Sequence, residues 1–239
     1  MPPLKANMPG PILLITRPEG AARRFVVQLD MKVETVVAPL IQIEPIALGP
    51  VSPGLWGIIL TSENGAIAAG QISGLPRRAW CVGDQTAEAA LAAGFDPISA
   101  GADAAALVTL ILSQSAQGPL LHIRGEHARG DVAGRLNAAG FAAQEIVAYR
   151  QLELPLDQAA RIALAGGRPV VIPLFSPRSG SILAQSGPFT APLHVICISP
   201  TVAFQAKALE PHSCVTVDNP DGTAMIRAVR RKLELLQPH

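Results

Sequence analysis

Short apolar runs alternate along this chain with longer alanine-rich stretches whose apolar positions recur at helical spacing, the pattern of a βαβ fold. Ile12 to Ile15 predicts a strand, Ala21 to Leu29 the helix behind it, and Val33 to Val37 the next strand. Leu40 to Pro45 alternates apolar and polar residues and is bracketed by Pro39 and Pro45, which suits an extended linker. Further strands are expected over Ile58 to Leu60, Trp80 to Val82, Leu120 to Ile123, Val170 to Phe175, Val195 to Ile198 and Val215 to Val217, with Glu145 to Leu154 as a second extended segment. Helices are expected from about Asn64, then over Gln85 to Ala93, Ala104 to Ser113, Asp131 to Ala139, Arg178 to Gln185, Thr201 to Leu209 and Thr223 to Leu236, with Gly94 and Gly140 as stop signals. The first ten residues, rich in proline, read as a loose tail.

The pattern occurs twice. Gly57-Ile58-Ile59-Leu60-Thr61-Ser62 returns as Val171-Ile172-Pro173-Leu174-Phe175-Ser176, so that the two serines stand 114 residues apart. Cys81-Val82-Gly83 returns as Cys197-Ile198-Ser199, and Leu14-Ile15-Thr16-Arg17 matches Leu121-His122-Ile123-Arg124. Two similar units predict two similar lobes, each a small parallel α/β sandwich of about five strands, facing each other across a ligand-binding cleft. In such sheets ligands bind at the edge where strands end and helices begin.

Composition narrows the class. The chain has 239 residues, 49% of them hydrophobic but only 4% aromatic, so its cores must be built from Ala, Val, Ile and Leu, as in buried parallel sheets. Nineteen basic and eighteen acidic side chains give a net charge of +1, which argues against a nucleic-acid partner. The run Arg227, Arg230, Arg231, Lys232 reads as a solvated face complementing the dipole at the end of the last helix. Cys81 and Cys197 sit in apolar runs and read as buried thiols of a cytoplasmic protein. The five histidines have no metal-ligand spacing, and no apolar run is long enough to span a membrane. Nucleotide, metal and serine-nucleophile motifs are absent.

What chemistry remains sits at strand ends. Arg17, Ser62, Thr86 and Ser176 each stand where a strand gives way to a helix. The hydroxyls either cap their helices or, with the adjacent amides, receive an anion; their recurrence in both halves keeps the second reading open. Tyr149, the single tyrosine, lies in the extended segment near the junction of the halves. It is either an amphipathic residue at a domain seam or a phenol able to donate to a developing oxygen.

Thr16-Arg17-Pro18, Pro39 to Pro45, Leu60 to Gly65, Val82 to Ala87, Arg124-Gly125, Val147 to Arg150 and Phe175-Ser176-Pro177 occur in an order and spacing that, over nearly the whole chain, resembles the uroporphyrinogen-III synthase family. The resemblance implies a cofactor-independent lyase of tetrapyrrole (heme) biosynthesis, needing no metal. It would cyclise hydroxymethylbilane, a linear tetrapyrrole with eight carboxylates, inverting ring D and releasing water to give uroporphyrinogen III. It implies two flavodoxin-like lobes joined by a two-stranded β ladder: residues 1–38 with 153–239 in one, 39–152 in the other, and 40–45 and 147–152 as the ladder. It casts Tyr149 and Thr86 as catalytic. Arg17, Ser62, Asn64, Arg124, Arg150, Ser176, Arg178 and Thr201 are cast as substrate-binding, the arginines as carboxylate partners with surface solvation as their alternative. The expected state is a cytoplasmic monomer in at most transient contact with the enzyme supplying its substrate. One departure stands out: aligning Gly83 with Ser199 puts Val202 opposite Thr86, so either the second threonine is dispensable or Thr201 replaces it through a shifted helix start. The competing reading is a non-catalytic two-lobed anion-binding or regulatory relative.

Overall fold

The computed structural model describes residues 10–237 apart from 102, 115–117 and 129. The proline-rich tail up to residue 9 and His239 lie outside the described residues. The chain divides into two compact units, one holding the described residues up to Gln42 together with those from Glu153 onward, the other Ile43–Leu152.

In the first unit, β1 (Ile12–Ile15), β2 (Glu34–Val37), β9 (Val170–Leu174), β10 (Leu193–Cys197) and β11 (Ser213–Thr216) form a sheet ordered β11-β10-β9-β1-β2, with every pairing parallel. Its helices are α1 (Glu19–Leu29), α6 (Gln158–Ala165), α7 (Pro177–Gln185), α8 (Pro200–Ala206) and α9 (Gly222–Leu236). Leu13, Ile15, Val171 and Ile196 close one face of the sheet against Phe25 and Leu29 of α1 and Met225, Val229 and Leu233 of α9.

The second unit orders its strands β3-β8-β7-β4-β5-β6, from β3 (Ile41–Pro45), β4 (Gly57–Leu60), β5 (Arg78–Cys81), β6 (Asp96–Ser99), β7 (Leu120–Gly125) and β8 (Ala143–Glu153). Helices α2 (Glu63–Ala69) and α3 (Asp84–Ala92) cover one face, where Ile58, Leu60, Cys81 and Ile123 meet Ala66, Ala69 and Ala90. Helices α4 (Ala104–Leu112) and α5 (Val132–Ala138) cover the other, where Ile59, Trp80 and Leu120 meet Leu107, Ile111 and Leu136. Alanine on α2 and α3 lets those helices lie close to the strands, which is how a chain poor in aromatics fills its cores.

The repeated segments occupy corresponding places. In both sheets three strands run outward in chain order on one side (β4 to β6, β9 to β11) and a parallel pair lies on the other (β7 and β8, β1 and β2). The switch in direction falls between β4 and β7 in one unit and between β9 and β1 in the other. Open α/β sheets bind ligands at such points.

Several expectations need correction. β6 and α6 were not foreseen. The ladder expected from 40–45 and 147–152 is present, by contrast, with 147–152 as the distal part of the eleven-residue strand β8, whose first part pairs in parallel with β7. The same strand lies beside β3, with Ile46 N–H donating to Ala148 O and Leu154 N–H to Leu40 O, both at 2.9 Å, a register that runs antiparallel. The helix expected to reach Leu209 ends its α-helical part at Ala206 and tightens into a 3₁₀ turn. The basic run stands short of the last turn of α9, so it does not complement the dipole. Arg230 instead donates to the terminal carbonyls of α1, to Leu29 O at 2.8 Å and Gln28 O at 3.2 Å, satisfying groups that a helix end leaves open. Gly94 and Gly140 hold positive φ just beyond α3 and α5, where a side chain would be strained.

Candidate active site

Tyr149 reaches its place through a register irregularity. β7 and β8 pair residue for residue up to Arg124 and Val147, then shift so that Gly125 faces Tyr149. The ring lies against the backbone of Gly125, where a Cβ would stand 2.6 Å from two ring carbons; only glycine leaves the ring room. Tyr149 is 6% exposed, and its hydroxyl lies 2.8 Å from Ser62 Oγ. Burial raises the phenol pKa above its ordinary value, against the opposing effect of the Ser62 bond, so it is protonated at neutral pH.

Ser62 does two things at once. It caps α2, accepting the Gly65 N–H at 3.0 Å, and it bonds Tyr149. Beside the pair a cavity of about 470 Å³ is lined by Asn64, Ile67, Ala68 and Ile72 of α2 and its C-terminal extension, by the 43–51 segment, and by Tyr149. The structure therefore brings Ser62, Asn64 and Tyr149 together at the β4/β7 switch.

Thr86 does not cap its helix. Gly83 holds that position, and Thr86 is the third residue of α3, 5% exposed. In the other unit Ser199 caps α8, accepting from Val202 N–H, and Val202 occupies the matching buried position. The alignment of Gly83 with Ser199 thus describes the helix starts. The helix start is not shifted to bring Thr201 into the Thr86 position: Thr201 is the exposed second residue of the helix.

Ser176 caps α7, accepting from Ser179 N–H at 3.1 Å, with the two hydroxyls 2.8 Å apart. Across the β9/β1 switch the Arg17 guanidinium lies over the Phe175 ring, 4.0 Å from its centroid. The other candidate arginines pair with acids of their own unit. Arg124 Nε donates to Glu145 at 2.8 Å and its Nη1 to the carbonyls of Gly125 and Glu126. Arg150 pairs with Glu44, and Arg178 Nη2 donates to Glu153 at 3.1 Å.

One cluster escaped the sequence reading. His122, 1% exposed on β7, has both ring nitrogens engaged: Nδ1 lies 3.0 Å from Glu145 Oε1 and Nε2 3.0 Å from Thr61 Oγ1. Glu145 binds Arg124 through its other oxygen. Burial lowers the His122 pKa below its ordinary value, with Glu145 opposing. Burial would raise the Glu145 pKa, but its bonds to His122 and Arg124 outweigh that and hold it below the usual carboxylate value. The available signal was a polar residue inside the strand Leu120 to Ile123, on the side of Leu120, where burial demands partners.

Among the described residues no cluster of His, Cys, Asp and Glu could hold a metal ion, and no helix is long and apolar enough to cross a membrane. A family profile described as uroporphyrinogen-III synthase HemD matches residues 29–227. Among solved structures, a uroporphyrinogen-III synthetase from Helicobacter pylori superposes with a TM-score of 0.67 at 15% identity, covering 95% of this chain and 99% of that one. A mutant uroporphyrinogen III synthase from Thermus thermophilus superposes with a TM-score of 0.52 at 14% identity, covering 95% and 100%. No curated protein sequence matches the chain.

Proposed function

Since this chain belongs to the uroporphyrinogen-III synthase family, cyclising lyases of heme biosynthesis, we propose that Tyr149 is its acid and Ser62 the residue that aims it. The observation that carries this is the buried phenol, protonated at neutral pH and 2.8 Å from a serine that already accepts a backbone N–H. With Gly65 N–H donating to Ser62 and Ser62 O–H donating to Tyr149, the phenolic proton is left for a substrate oxygen. Each bond in such a chain strengthens the next.

The substrate is hydroxymethylbilane. A pyrrole nitrogen pushes out the hydroxyl of the hydroxymethyl group, which takes a proton from Tyr149 and leaves as water, giving an azafulvene. The substituted carbon of ring D then attacks to form a spiro intermediate, which fragments and recloses with ring D inverted. The proton lost when the last pyrrole regains its aromaticity returns to the phenolate, so the sum is hydroxymethylbilane to uroporphyrinogen III plus water. The pyrrole supplies its own electron push, and holding the chain curled can contribute up to about 7–11 kcal/mol.

Asn64 and Thr86 take part from the same unit as Tyr149, Asn64 at the cavity wall and Thr86 on the first turn of α3. Arg17, Ser176, Arg178 and Thr201, at the corresponding edge of the other unit, are the further candidates for carboxylate binding. The Arg150–Glu44 and Arg178–Glu153 pairs are open to solvent, which screens the attraction within each, so a substrate carboxylate displaces the internal acid at little cost. The chain acts as a monomer, and unbridged thiols at Cys81, Cys197 and Cys214 support a cytoplasmic setting.

Tyr149→Phe tests the assignment. Losing a hydrogen bond to a group that gains charge costs about 1.5–3 kcal/mol, so kcat should fall roughly ten- to a hundredfold with the fold intact. Unchanged kinetics would remove the phenol from the mechanism.

A further inference from the structure

The buried cluster behind the β4 end has a fixed hydrogen-bond polarity that runs from Glu145 through His122 to Thr61. Glu145, ionised and held by Arg124, accepts from His122 Nδ1 at 3.0 Å, so Nδ1 carries the ring proton. A neutral ring protonated there leaves Nε2 with a lone pair. The contact of Nε2 with Thr61 at 3.0 Å is then donated by the threonine. A hydroxyl has one proton, so any further partner of the Thr61 oxygen must itself be a donor. Thr61 is half-buried and stands directly before Ser62, at the β4/β7 switch.

We propose that His122 is a positioning residue that commits the Thr61 proton inward, so that Thr61 presents lone pairs only, and that the donor it receives is a pyrrole N–H of the linear tetrapyrrole. The inference rests on the function given above. The substrate's eight carboxylates are acceptors and are refused by such an oxygen, its departing hydroxyl is engaged by Tyr149, and its pyrrole N–H groups are the donors that remain. Thr61 thereby distinguishes the backbone of the substrate from its acidic arms. The charged groups facing His122 are Glu145 from β8 and Arg124 from its own strand. Protonating His122 at low pH reverses the bond: Nε2–H donates to Thr61, whose own proton swings outward and meets the pyrrole donor head-on.

Two measurements test this. Nitrogen-15 NMR of the histidine-labelled wild-type protein should show His122 as the neutral tautomer protonated at Nδ1 at pH 7, with a bare Nε2. A ring protonated at Nε2, or a doubly protonated ring at that pH, overturns the proposal without touching the functional reading. In kinetics on hydroxymethylbilane, Thr61→Val should lower kcat/KM about three- to tenfold, the loss of one hydrogen bond, and Thr61→Ser should restore it. The wild type should lose kcat/KM on the acid side through an ionisation below the usual histidine range, and Thr61→Val and His122→Gln should lack that limb. If His122→Gln folds poorly, the Thr61 pair and the tautomer decide alone. A Thr61→Val enzyme with the wild-type rate and acid limb refutes the inference even though uroporphyrinogen III is made. A wild type yielding isomer I alone refutes the function and the pyrrole assignment together, while the tautomer measurement stands apart.

Discussion

Gly125→Ala puts the seating of Tyr149 to a quantitative test. The added Cβ would stand 2.6 Å from Cε2 and Cζ of the ring and 2.9 Å from its hydroxyl, whereas carbon atoms in contact prefer about 3.5–4.0 Å. The ring must therefore retreat by roughly 1 Å. It cannot do so freely, because it is 6% exposed and its hydroxyl is bonded to Ser62. Overpacking of this kind costs about 1–3 kcal/mol. Weakening the Ser62 bond adds about 0.5–1.5 kcal/mol. Against this, replacing a strand glycine by alanine gains about 0.5–1 kcal/mol of backbone entropy. The steric terms win, and the net expectation is a loss of roughly 1–3 kcal/mol by urea unfolding, as expected of overpacking. Catalysis should suffer more than stability, since displacing a reacting group by about 1 Å can cost on the order of a hundredfold. The comparison that isolates the cause is Gly125→Ala in a Tyr149→Ala background. With the ring gone the methyl has room, so the double variant should be no less stable than Tyr149→Ala alone, a strong non-additivity. A Gly125→Ala protein with wild-type stability and turnover, or additive effects in the double variant, would show that the ring does not lie against Gly125.

Two further outcomes follow from the titrating groups. His122 and His194 both have pKa values lowered by burial, for His194 with help from Lys232 and His212, so the unfolded chain takes up their protons at higher pH than the folded one. Their contribution is complete above the unfolded value of about 6.5 and diminishes as pH falls below it toward the folded values. The urea midpoint should drop between pH 7.5 and 5.5, His122→Gln should lessen the drop, and a slope indifferent to that substitution would refute it. Among the cysteines, burial pushes the Cys81 thiol up to about 11 and the Cys197 thiol up to about 12, while Cys214 is exposed. A thiolate-directed reagent at pH 8 should label one thiol rapidly and label none rapidly in Cys214→Ser; fast labelling of Cys81 in the folded protein would contradict this.

How far the sequence could be read depended on whether the controlling contacts are local. The strands around Leu13, Ile59 and Ile172 are uninterrupted apolar runs, and the repeat located corresponding strand ends in both units. Strand β6, Asp-Pro-Ile-Ser, has neither alternation nor an apolar run; it exists because its backbone pairs with β5. Helix α6 carries a legible cap in Asp157, yet its pattern was overshadowed by the extended segment before it. Ser62, Asn64 and Tyr149 were foreseen as site residues, and the structure brings them together. The partners of the arginines were not legible, because Glu44 and Arg150 are 106 positions apart and only sheet register decides that they meet. The cluster of Thr61, His122, Arg124 and Glu145 is hidden for the same reason, spread over three strands. Buried polar groups of that kind are specified by the fold as a whole and leave no spacing in the chain.

The most direct measurement is to give the purified protein freshly made hydroxymethylbilane, oxidise the products to porphyrins and separate the isomers. Isomer III should appear in excess, formed faster than in the spontaneous reaction. Isomer I alone, at the uncatalysed rate, would contradict this.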